Sequence, residues 1–139
     1  FTLVEMLVVF GIFALIGAAV HLLAFAWEVL LFDRPGVHRG IFAIPTTDVP
    51  AVRLWSFNVG FYNLFLGCGA IAGVIFWIAD NDEVGRTLVI YTCLFMILAG
   101  VVLFVSDRMA LSRPRGKGVG GALAQSGPPL VALVAAVLT

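Results

Sequence analysis

Residues 54–79 read LWSFNVGFYNLFLGCGAIAGVIFWIA, with Arg53 on one side and Asp80-Asn81-Asp82-Glu83 on the other. No charge interrupts the run. Wound as an α-helix it extends about 39 Å, more than the roughly 30 Å of hydrocarbon in a bilayer. Trp55 and Trp77 stand near its ends, where amphipathic aromatic rings settle at a membrane–water boundary. The stretch therefore reads as a membrane-crossing helix, and the rest of the chain is judged by whether it repeats the pattern.

It does. A first apolar run covers about residues 3–32 and ends at Asp33-Arg34-Pro35-Gly36, and a third covers about 87–105. A fourth, weaker run lies at about 119–139 after a polar loop from Ser106 to Gly121. Over the 139 residues 62% are hydrophobic and 12% charged, and mean hydropathy is +1.12. A water-surrounded domain of this size cannot hide so much apolar surface. The expected fold is all-α: a single membrane domain, a four-helix transmembrane bundle. Pro128 and Pro129 suit a helix start, yet only ten residues follow them. Either the fourth helix begins near Val119 and kinks, or the chain stops short of its natural end. Phe1 is not an initiator methionine, so the chain reads as processed, trimmed or numbered from inside a longer protein.

Loop charge orients the bundle. Arg34, Arg39 and Arg53 flank or lie in the first loop, Arg108, Arg113, Arg115 and Lys117 lie in the third, and Arg86 alone borders the second. The positive-inside rule puts loops one and three in the cytoplasm and both termini outside. The localisation implied is a multi-pass protein of the bacterial inner membrane. Formal net charge is zero, so no nucleic-acid partner is expected; the lipid bilayer, other membrane subunits or a second copy are. Cys68 and Cys93 both fall inside apolar runs, which argues against a disulfide framework. There is no CxxC, no HExxH and no phosphate-cradling glycine loop, so neither a metal nor a cofactor is expected.

Polar side chains inside lipid are costly, which singles out His21, Glu28, Asn58, Tyr62 and Asn63 as ligand-binding candidates. Counted from the cytoplasmic ends, Glu28 and Asn58 lie roughly 6–8 Å deep and His21 and Asn63 roughly 15–17 Å. His21 and Glu28, seven residues apart, share a helix face, and so do Asn58 and Tyr62. The competing structural reading pairs Glu28 with Arg34 or Arg53, and His21 with Asn63 or a backbone carbonyl. Gly60, Gly67, Gly69, Gly73 and Gly100 are candidate helix-packing positions, with Gly69 and Gly73 forming a GxxxG.

Two resemblances follow. The segment His21-Leu-Leu-Ala-Phe-Ala-Trp-Glu28-Val-Leu-Leu-Phe32 resembles the H-x-Y-I-x-x-L-E-M-F-L-W signature of a small bacterial membrane family known as a domain of unknown function. Asn58-Val-Gly-Phe-Tyr62-Asn63-Leu-Phe-Leu resembles that family's N-Q-G-L-Y-N-G-F-L, with Val59 where glutamine is usual and Leu64 where glycine is. The resemblance implies a four-helix integral membrane protein of about this length and brings no activity with it. Separately, Phe1-Thr-Leu-Val-Glu5-Met-Leu-Val-Val9 is similar to the mature N-terminus of type IV pilins and pseudopilins, which implies a filament subunit.

Function reads first as non-enzymatic binding or carriage of a lipid headgroup, small amphiphile or proton, with Glu28 as the charged contact. The alternatives are an accessory subunit of a larger membrane complex, a pilin-like filament subunit, and a membrane-embedded isomerase-type enzyme. The last needs His21 and Glu28 within reach of one substrate atom, yet they stand about 10.5 Å apart along the axis.

Overall fold

Thr2 opens the first helix. Its hydroxyl accepts the Glu5 N–H at 3.2 Å, and the Glu5 carboxylate accepts the Thr2 N–H at 2.9 Å, a reciprocal capping box. In the computed structural model, which describes residues 1–111 and 113–139, helix α1 then runs Leu3–Phe25 and widens into a π-turn over Ala26–Leu30. Ser112, in the third loop, lies outside the described residues. A short helix α2, Pro35–His38, and a 3₁₀ turn, Thr46–Asp48, shape the first loop.

Helix α3 spans Val49–Ile78, with Pro50 in its first turn where no N–H is needed. The next connection is tight. Asp80 takes a left-handed φ of 59°, and the Asn81 side chain accepts the Val84 N–H at 3.4 Å to start α4, Asp82–Arg108. Helix α5, Val119–Val137, carries Pro128 and Pro129 inside it, which removes the donors that the carbonyls of Ala124 and Gln125 would otherwise receive.

The four long helices form an antiparallel ring in which α1 packs on α3, α3 on α4, α4 on α5, and α5 back on α1. All four are long and apolar enough to cross a membrane. Side-chain size is distributed as lipid demands. The interior is built largely of small residues: Ala14, Ala18, Ala70, Ala132, Ala135 and Ala136 are buried around Phe10, Val89 and Met96. Large side chains point outward, Phe65 at 63% exposure and Leu98 at 56%. With hydrocarbon outside there is no gain from burying large apolar groups, so close helix approach decides the interior. Gly85 marks a close approach of α4 to the α3 backbone, since a Cβ there would meet the Trp77 backbone nitrogen at 2.5 Å.

At the end of the bundle holding loops one and three, the buried Asp107 carboxylate accepts the Gly116 N–H at 2.9 Å and the Gly118 N–H at 2.7 Å, beside Arg108. This single side chain ties the third loop to the end of α4 and sets where α5 begins. At the opposite end Arg86 donates to the Ala136 carbonyl at 3.0 Å and the Thr139 hydroxyl at 3.3 Å.

Candidate functional site

One face of α3 carries Arg53, Ser56, Gly60, Asn63, Gly67, Ala70 and Val74, steps of three and four residues that keep a single stripe facing its neighbours. Its first part lies against the end of α1. Gly60 sits against Val29 and Glu28, and Gly67 against Ala18 and Leu22, so glycine there lets the two helices close.

The π-turn leaves carbonyls that the helix does not use, and α3 answers them. The Arg53 guanidinium donates to the Glu28 carbonyl at 2.9 Å and to the Val29 carbonyl at 2.8 Å, and Ser56 Oγ donates to the Glu28 carbonyl as well. The guanidinium also lies 5.7 Å from the ring centres of Phe32 and Phe57, and Arg53 Nε is 3.6 Å from the Asp33 carboxylate. With its backbone held this way, the Glu28 side chain reaches α3, where Asn63 Nδ2 donates to Oε2 at 2.7 Å.

The five sequence-derived candidates separate. Glu28 and Asn63 come together. Asn58 is exposed and lines an open recess of ≈ 610 Å³ with Arg53, Leu54 and Phe57. Tyr62, one turn further along, is 60% exposed on the outer surface. His21 is buried and donates through Nδ1 to the Gly17 carbonyl of its own helix at 2.9 Å. Of the pairings weighed from sequence, Arg53 does reach Glu28, but at the backbone carbonyl and not at the carboxylate. His21 takes a backbone carbonyl, which leaves Asn63 to Glu28.

Sequence reasoning weighed Arg53 only as a side-chain partner for Glu28 and passed over its backbone role, along with Ser56 and His38. For the first two the signal was present in the three-and-four spacing through Gly60 and Asn63. His38 gave none, because a histidine in a polar loop reads as solvated. It is buried instead, with Nε2 3.3 Å from the Thr46 hydroxyl, Nδ1 without a partner among the described residues, and the ring 6.4 Å from Phe32.

The family model described as "Protein of unknown function (DUF1304)" matches residues 15–137. The chain belongs to this family. The match begins after the pilin-like residues 1–9 and takes in the whole site, including the α1 and α3 segments that carry the polar seam. No curated protein and no solved structure matches the chain.

Chemically the seam is an acceptor site. The Glu28 carboxylate has room for further hydrogen bonds beyond the one from Asn63. Among the described residues no hydrogen bond joins it to His21, and no three of His, Cys, Asp and Glu come together as a metal cluster would need.

Proposed function

We propose that this multi-pass membrane protein is a non-enzymatic binding or carrier protein, and that the seam between α1 and α3 receives the polar head of an amphiphile able to donate hydrogen bonds, such as an amine or a hydroxyl. The observation that carries this reading is the Asn63–Glu28 hydrogen bond of 2.7 Å. A carboxylate within a membrane-crossing segment is expensive and ordinarily has a use. Here it is held from α3 while its backbone is locked by Arg53 and Ser56, so its position is set before any ligand arrives. Preorganisation of that kind favours binding, because little further ordering is needed. Among the described residues His21 makes no hydrogen bond to Glu28, so the two are not joined as an acid–base pair.

The same reading places the chain in the bacterial inner membrane, with the seven basic residues of loops one and three in the cytoplasm. The seam then opens near the cytoplasmic boundary.

Native mass spectrometry of the protein released from gentle detergent tests the proposal. Wild type is expected to keep a bound amphiphile bearing an amine or hydroxyl. Glu28→Gln keeps the shape but loses the charge, and is expected to release that amphiphile at an unchanged thermal midpoint. Equal retention by both would sink the reading.

A further inference from the structure

The outward face of α3 presents a second, separate constellation. Asn58 and Tyr62 lie one turn apart on that face, both exposed, in a helix otherwise apolar toward lipid. Arg53 and Ser56 are occupied with α1, and Asn63 with Glu28. That leaves the Asn58 amide and the Tyr62 hydroxyl without a protein partner among the described residues. In hydrocarbon an unpartnered amide is unfavourable, so the face calls for a ligand with an acceptor at the depth of Asn58.

The depths can be read from the helix. Asn58 lies five residues past Arg53, about 7.5 Å along the axis, and Tyr62 about 6 Å beyond it. A bilayer of about 40–45 Å over a hydrocarbon core of about 30 Å has a headgroup layer of about 5–7 Å on each side. With Arg53 level with lipid phosphates, Asn58 is level with the glycerol ester carbonyls, and Tyr62 with the upper acyl chain. Only two of the five guanidinium N–H groups of Arg53 go to the π-turn carbonyls. The Asp33 carboxylate that approaches Arg53 is 74% exposed, and can move into water. The Arg53–Asn58 recess opens outward. Below it Phe57, Phe61 and Phe65 follow one another along α3, their ring centres 5.1 and 6.1 Å apart. Phe57 and Phe65 are exposed, at 47% and 63%. The exposed Arg34 and Arg39 of the first loop add positive charge at the phosphate level.

We infer that the outer face of α3 is a binding lane for one anionic glycerophospholipid. Its phosphate meets the Arg53 guanidinium, an ester carbonyl accepts from the Asn58 amide, and an acyl chain runs past Tyr62 along the phenylalanine row. The charge complementarity is with a lipid head, since the lane continues downward as an apolar surface with no use for a free phosphate. This site shares Arg53 with the Glu28–Asn63 seam but not the Glu28 carboxylate, and holds whether or not that seam binds anything.

The test offers the delipidated protein three probes in detergent: dioleoylphosphatidylglycerol, dioleoylphosphatidylcholine and glycerol phosphate. Native mass spectrometry counts the adducts. Wild type is expected to retain one phosphatidylglycerol in clear preference to phosphatidylcholine, and glycerol phosphate is expected not to compete. Asn58→Leu deletes one hydrogen bond from a lipid-facing position, and should lower phosphatidylglycerol occupancy about fivefold at an unchanged thermal midpoint. Because Arg53 also holds α1, it is not the diagnostic variant. Equal retention of the two lipids, unchanged phosphatidylglycerol in Asn58→Leu, or full competition by glycerol phosphate would each overturn the lane. Glu28→Gln should leave phosphatidylglycerol retention intact, which separates this result from the seam's.

Discussion

Replacing Arg53 by methionine should cost far more than the loss of a boundary charge, and the structure says why. The guanidinium satisfies two carbonyls freed by the π-turn, those of Glu28 and Val29. The Glu28 carbonyl has a second donor in Ser56, so the substitution orphans the Val29 carbonyl alone. That contributes about 1–3 kcal/mol. The two ring contacts, at 5.7 Å from Phe32 and from Phe57, add about 0.5–1 kcal/mol each at a partly exposed position. The approach to the exposed Asp33 adds about 0–1 kcal/mol. The expected loss is therefore about 2–6 kcal/mol. Ser56→Ala should cost only about 1 kcal/mol, because Arg53 still serves the Glu28 carbonyl. In the double variant both carbonyls are orphaned, and the loss should exceed the sum of the singles by about 1 kcal/mol. Unfolding by sodium dodecyl sulfate in mixed micelles, followed by circular dichroism, measures all three. An Arg53→Met cost below about 0.5 kcal/mol would show that the clamp on the π-turn contributes nothing, and a simply additive double variant would refute the shared hold on the Glu28 carbonyl.

Gly85→Ala should strongly destabilise the bundle, because the added methyl would meet the Trp77 backbone at 2.5 Å; Gly120→Ala, with nothing within 4 Å, should shift the thermal midpoint hardly at all. Similar midpoints for the two would refute the close approach of α3 and α4. Asp107→Asn replaces a carboxylate serving Gly116, Gly118 and Arg108 by an amide with one acceptor. Trypsin should then cut faster at Arg115 and Lys117 while helix content holds, and an unchanged cleavage rate would contradict the anchoring role. For orientation, single cysteines at Lys117 and at Glu83, in a background lacking Cys68 and Cys93, should react oppositely with an impermeant maleimide on intact cells. Labelling is expected at position 83 alone, and the reverse would invert the proposed topology.

The fold lay open in the chain because lipid simplifies the code. A span must satisfy its backbone internally, so runs such as 54–79 can only be helices, and short loops such as Ala79–Asn81 leave antiparallel packing as the simple solution. The ends were harder. Helix α3 begins at Val49 and α4 at Asp82, each with charged residues inside the helix that hydropathy excludes from a span. The π-turn at Ala26–Leu30 had no sequence signature, and the donors to its carbonyls, Arg53 and Ser56, come from another helix.

Residue type and spacing alone determined that Glu28, Asn58, Tyr62 and Asn63 are out of place in hydrocarbon, because the cost of a polar group there does not depend on its neighbours. Which of them face each other was decided only by tertiary structure. The rotation of α3 against α1 is set where Gly60 and Gly67 admit the facing helix, and that rotation turns Asn63 inward to Glu28 while leaving Asn58 and Tyr62 toward lipid. Contact between helices is a property of two surfaces at once, and a linear pattern on either one does not contain it.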